Sequence, residues 1–153
     1  MTVQATVPSP SLAIAPIADA DIPDVVALWQ ACGLTRPWND PASDIALARR
    51  GPSSTVLVGR DAGAIVATAM VGHDGHRGWV YYVAVDPNSQ GKGLGRVMMA
   101  AVEDWLRAAG VPKLQLLVRR ENAKAGAFYQ SLGYEESTSV MLAKWLDGRE
   151  ATP

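Results

Sequence analysis

The amino-acid sequence predicts one α/β domain: a mixed, mostly antiparallel sheet with helices on both faces. Three observations predict it. Apolar segments of strand length recur at 55–60, 64–72 and 79–85 with only short polar links between them. Links that short join antiparallel neighbours, because a parallel crossover needs about a dozen residues or more. From Leu94 the apolar spacing turns helical, through Val97, Met98, Ala101, Val102, Trp105, Leu106 and Ala109. The remaining order of strand, helix and strand places helices on two sides of one sheet.

Residues 11–17 (SLAIAPI) read as the first strand. Asp19 or Asp21 then caps a helix with Pro23 in its first turn and Gly33 as its stop. Two prolines and an Asn-Asp pair make Arg36-Pro37-Trp38-Asn39-Asp40-Pro41 a loop, followed by a short helix over 42–50 that ends at Gly51-Pro52. Asp61-Ala62-Gly63 turns the chain between the next two strands, and His73 to Gly78 forms the break before the third. Along the helix that starts at Leu94, Glu103, Asp104 and Arg107 take the wet side, Gly110 stops it and Pro112 bars continuation. A strand at 113–119, a helix from Asn122 to Leu132 and a last strand over 137–146 complete the domain, which spans 11–147 between a loose tail at 1–10 and another at 148–153.

With 153 residues, 48% of them hydrophobic, the chain can build one core and not two. Lys plus Arg number 14 against 15 Asp plus Glu, a net charge of -1, so nothing in the bulk balance attracts nucleic acid or an anionic membrane. Any partner must be held by a specific pocket. The opening MTVQATVPSP lacks the basic start and apolar run of a secretory signal, and no apolar stretch approaches the roughly 20 residues that cross a bilayer, so the chain reads as cytoplasmic. The one cysteine, Cys32, has no partner for a disulfide or a thiolate metal site, and no metal is expected. Among Val25, Val26, Leu28 and Trp29 it reads as a small buried thiol, the other reading being an acyl-accepting nucleophile.

The most informative segment is Gln90-Gly91-Lys92-Gly93-Leu94-Gly95-Arg96, between the strand that ends at Val85-Asp86-Pro87 and the long helix. Glycines at a helix entrance let the backbone approach an anion, and the first-turn N–H groups, which lack helical partners, point at it. Lys92 and Arg96 add positive charge beside that site. A Walker loop would require Ser or Thr after Lys92, where Gly93 stands, and the dinucleotide fingerprint would require two residues between its last glycines, whereas Gly91, Gly93 and Gly95 are evenly spaced. A ligand-free glycine turn is the remaining alternative, disfavoured because glycine in a helix costs about 1 kcal/mol relative to alanine.

These residues resemble the GCN5-related N-acetyltransferase (GNAT) superfamily, an acyl-CoA N-acyltransferase fold. Gln90, Gly93 and Gly95 match its acetyl-CoA signature, Val83-Ala84-Val85 with Asp86-Pro87 look like its fourth strand, and Asn122, Ala127-Phe128-Tyr129 and Gly133-Tyr134 resemble its second block. The segments 36–41 and 74–79 further resemble a group of small bacterial members. The resemblance implies transfer of an acetyl group from acetyl-CoA to an amine, on a small molecule or a peptide, within a ternary complex. It implies that the amides of Gly91, Lys92, Gly93, Leu94, Gly95 and Arg96 hold the pyrophosphate. Val83, Ala84 and Val85 would run along the pantetheine arm, and a bulge near Tyr82 or Val83 would aim an N–H at the thioester carbonyl.

The same resemblance makes Tyr129 the acid that protonates the departing thiolate, since a phenol of pKa about 10 holds its proton at neutral pH. A core tyrosine beside Phe128 and Leu132 is the other reading of that position. Asn122 orients the pantetheine or a water, or is simply a helix N-cap. Where some relatives carry a glutamate base this chain has Trp79, which leaves the base unassigned. His76 has the nearest suitable pKa, with Asp74, Tyr81 or a water chain as substitutes. Trp38, Asn39 and Tyr81 are the candidates for the acceptor pocket, Trp38 alternatively packing under its loop. A homodimer is compatible with the sequence. The rival functions are a non-catalytic acyl-CoA sensor and a nucleotide-binding oxidoreductase.

Overall fold

The computed structural model describes residues 11–150, so the tail expected at 1–10 and the last three residues lie outside it. Short apolar segments pair in sequence order: β1 (Ala13–Pro16), β2 (Ser54–Asp61), β3 (Ala64–His73) and β4 (Gly78–Val85) form an antiparallel run, and β5 (Leu114–Gln115) joins β4 in parallel. Helices α1 (Ile22–Ala31) and α2 (Pro41–Ala48) cover one face, where Val25, Trp29, Ile45, Val56 and Val58 are buried. On the other face α3 (Leu94–Ala108) sets Met98, Met99, Val102 and Leu106 against Leu57, Ala67, Ala69, Val71 and Val80. Helix α4 (Ala123–Ser131) lies beside it with Phe128 and Tyr129 packed at the margin.

Local chemistry sets the helix ends. Asp40 accepts the Ala42 N–H at 3.3 Å, so α2 begins at Pro41, and Asn122 accepts the Ala125 N–H at 3.1 Å to start α4. Helix α1 begins at Ile22 with Asp21 at its N-cap position, one of the two residues expected there, although the Asp21 carboxylate accepts from the Ala18 N–H and pairs with Arg60 and makes no cap hydrogen bond.

The expectation of a strand over 113–119 shrinks to two residues, and the last strand expected at 137–146 does not form. Val140, Met141, Leu142 and Leu146 are 82%, 63%, 92% and 92% exposed. The reason lies in the edge: β5 bonds to β4 only through the Gly78–Leu114 and Trp79–Gln115 pairs, too short a template to extend a ladder. Near the end of the described residues Arg149 donates to the Trp38 carbonyl and pairs with Asp147.

Gly95 has a packing reason of its own. A Cβ there would come within 3.1 Å of the Phe128 ring, so the glycine lets α4 lie close against α3.

Candidate active site

Two elements open toward the same sheet edge. In β4 the Thr68–Ala84 and Met70–Tyr81 pairs enclose Ala69 on one strand but both Tyr82 and Val83 on the other, which is a bulge at the position the sequence indicated. Tyr82 takes φ 52°, a left-handed conformation that costs a non-glycine residue roughly 1–2 kcal/mol and must be held by its surroundings. Its ring stacks on Trp29 with centroids 3.8 Å apart, and its hydroxyl donates to Asp44 Oδ2 at 2.6 Å. Past Trp79, β4 has no strand partner on the side away from β3 among the described residues.

At the end of β4 the loop into α3 forms an open, glycine-built cradle. Gly91 and Gly93 take φ 80° and 76°, and Gly93 is the N-cap of α3 with no side chain satisfying the first-turn N–H groups, unlike the capped α2 and α4. A Cβ at Gly91 would meet no atom within 4 Å, so there is room for a ligand. Lys92 and Arg96 are exposed at this entrance. Gln90 Nε2 donates to the Val85 carbonyl at 3.3 Å and ties the loop to the strand. The same carbonyl accepts from Cys32 Sγ at 3.2 Å, and burial pushes that thiol above its usual pKa, which makes Cys32 a poor nucleophile.

Tyr129 lies on α4 between Phe128, whose ring centroid is 5.0 Å away, and Tyr134 at 6.0 Å, both edge-on. Burial pushes its phenol above the ordinary range. Asn122 caps α4 one helix length away.

On the α1 and α2 side a cleft of about 660 Å³ runs between the loop at 36–39, α2, strands β3 and β4, and the segment after β5 that carries Leu117 and Arg119. Trp38, Asn39 and Tyr81 line it together with Tyr82, Asp44 and Leu117. Its charged lining holds both signs, Asp44 and Asp74 with Arg36 and Arg119. His76 does not line the cleft: it sits in the exposed turn that Asp74 organises by accepting the N–H groups of His76 and Arg77 at 2.9 and 2.7 Å. These amides, that of Arg77 foremost, hold Asp74 below the usual carboxylate range. His73 does reach the cleft, but its ring lies beside Trp105 of α3 and its Nδ1 accepts the Gly75 N–H at 3.3 Å. Among the described residues no group of three His, Cys, Asp or Glu side chains could hold a metal ion, and no helix is long and apolar enough to cross a membrane.

The model of the Acetyltransferase (GNAT) family matches residues 22–134, which carry the cradle, the bulge and α4. The chain belongs to the GNAT acetyltransferase family. An acetyltransferase of Yersinia enterocolitica is 40% identical over 127 residues, 83% of this chain and 90% of that protein. Ribosomal-protein-S18-alanine N-acetyltransferase from Escherichia coli superposes with a TM-score of 0.71 at 28% identity, covering 84% of this chain and 80% of that one. AAC(6')-Iy, solved with the bisubstrate analogue CoA-S-monomethyl-acetylneamine, shares the fold at a TM-score of 0.76 and 15% identity over 89% of this chain and 99% of that one.

In this GNAT acetyltransferase the sequence pattern does not mark Asp44, Thr68 and Trp29, which surround the bulge from three other elements. No signal within a few residues singles them out, because a Trp and a Thr in apolar periods read as ordinary core. Tyrosine burial has a measurable consequence. Tyr134 is pushed up to about 12 by burial and the Glu103 charge, and Tyr81, Tyr82 and Tyr129 are also raised, foremost by burial. A raised phenol keeps its proton longer when folded than when unfolded. Stability is thus fully present below the unfolded value of about 10 and is lost as pH climbs through the folded values. Urea unfolding should be flat from pH 7 to 9 and weaken above about pH 10, and Tyr134→Phe should shallow that decline.

Proposed function

We propose that this acetyltransferase moves the acetyl group of acetyl-CoA to a primary amine, of a small metabolite or of a protein N-terminus or lysine, by direct attack in a ternary complex. The observation that carries the reading is the uncapped, glycine-built N-terminus of α3 a short loop after a bulged strand whose outer edge, beyond Trp79, has no partner strand among the described residues. The diphosphate of the donor would lie on the amides of Gly91 to Arg96 with Lys92 and Arg96 beside it. The amide-bearing pantetheine arm would run along Val83, Ala84 and Val85 as an added strand, and Asn122, the N-cap of α4, would orient that arm or a water.

The amine enters from the cleft lined by Trp38, Asn39 and Tyr81, sheds its ammonium proton to water in that open cleft, and attacks the thioester carbonyl carbon. A C–N bond forms and the carbonyl π pair moves onto oxygen, where the bulge N–H of Val83 donates to it. The pair returns, the C–S bond breaks, and the sulfur leaves with its electrons and takes the phenolic proton of Tyr129. The amide nitrogen gives up its remaining extra proton to solvent, from which the Tyr129 phenolate recovers the one it lost. His76 has no part in this reading, since it does not line the cleft.

Thermal unfolding with acetyl-CoA, CoA, NADH and ATP tests the donor. Acetyl-CoA at 100 times its dissociation constant should add about 2.7 kcal/mol, a rise of roughly 5–10 °C for a chain of this size. No shift with either CoA species removes the reading, and a shift with NADH alone replaces it with the oxidoreductase. Thiol release across an amine panel then separates turnover from sensing.

A further inference from the structure

We propose that Thr68, together with Trp29 and Asp44, forms a positioning device for acetyl transfer that holds the Tyr82–Val83 peptide with the Val83 N–H facing the free edge of β4. This rests on the reading above, in which that N–H meets the thioester carbonyl. The indole Nε1 of Trp29 donates to Thr68 Oγ1 at 2.8 Å, and Thr68 Oγ1 donates to the Tyr82 carbonyl at 3.0 Å. The indole can only donate, so the hydroxyl must accept from it and is left oriented to donate onward. Trp29 and Thr68 are both wholly buried, so no water competes for these bonds.

A trans peptide points its carbonyl and its N–H in opposite directions, and the described residues contain no cis bond. Drawing the Tyr82 carbonyl toward Thr68 on β3 therefore turns the Val83 N–H away from β3, to the side where β4 lacks a partner strand beyond Trp79. The side chain of Tyr82 is clamped as well. Its ring lies flat on Trp29, and its hydroxyl is anchored on Asp44 of α2, a residue that also lines the acceptor cleft. Without these holds, φ 52° would relax and the bulge N–H would swing off its target.

Substitution at Thr68 separates this role from packing. Thr68→Val keeps the shape and removes the hydroxyl; Thr68→Ser keeps the hydroxyl and removes a methyl. The expected result is a kcat for thiol release at least about tenfold lower in Thr68→Val, with KM for acetyl-CoA held within about threefold, because a misaimed oxyanion donor affects the transition state more than the ground state. Thr68→Ser should recover most of the rate even where its Tm is lower, whereas packing alone would give the opposite order. If Thr68→Val fails to fold because the Trp29 N–H is orphaned, Trp29→Phe/Thr68→Val removes donor and acceptor together and should show the same loss of kcat. Wild-type kcat in a folded Thr68→Val or in the double variant overturns the positioning role while leaving the function standing. Absence of any acetyl-CoA shift in the wild-type protein overturns both.

Discussion

Tyr129→Phe is expected to slow acetyl transfer by about a hundredfold or more while leaving acetyl-CoA binding nearly unchanged. The substitution removes one oxygen and keeps the ring between Phe128 and Tyr134, so the packing of α4 survives. The thiolate that leaves then has no donor, and collapse back to thioester competes with product formation. Because burial raises this phenol, its proton is present throughout the neutral range, and the donor role is lost only as pH rises through that raised value. The wild-type kcat profile should accordingly show its alkaline decline above about pH 10, and the variant should lack that limb. Steady-state kcat, the pH profile and the acetyl-CoA thermal shift check this together; an unchanged rate would remove Tyr129 as the donor.

The second large effect is expected at Gly93. Its φ of 76° places the N-cap of α3 in a region where a β-branched side chain is strongly disfavoured, so Gly93→Val must rotate the backbone that presents the first-turn amides. Affinity for acetyl-CoA should fall by about a hundredfold or more, since misdirected N–H groups and the helix dipole behind them no longer converge on the diphosphate. The apolar face of α3 is untouched, with Met98, Met99 and Val102 still buried, so the ligand-free protein should remain folded with a modestly lower Tm. Isothermal titration with CoA measures the loss. Wild-type affinity in the variant would place the diphosphate elsewhere.

Much of this architecture is legible in the order of the residues. Gly91 and Gly93 before an amphipathic run announce an uncapped helix entrance, because the conformation a glycine permits and the amides a helix leaves unpaired are matters of a few neighbouring residues. Asp21, Asp40 and Asn122 mark helix starts for the same reason, though Arg60, far along the chain, claims the Asp21 carboxylate that would otherwise cap. His76 has the chemistry of a base, yet the turn closed by Asp74 leaves it outside the cleft. The segment 137–146 has the apolar composition of a strand, but strand formation needs an edge to bond, and β5 offers only two residues.

The sequence by itself determined the order of elements, the helical period of α3, the uncapped glycine turn ahead of it and membership of the chain in its family, since each depends on short-range spacing. Only the tertiary structure decided which side chains surround the bulge. Trp29, Asp44 and Thr68 reach Tyr82 from α1, α2 and β3, and hydrogen bonds across 38 or 39 residues of chain are chosen by packing, which no local pattern encodes.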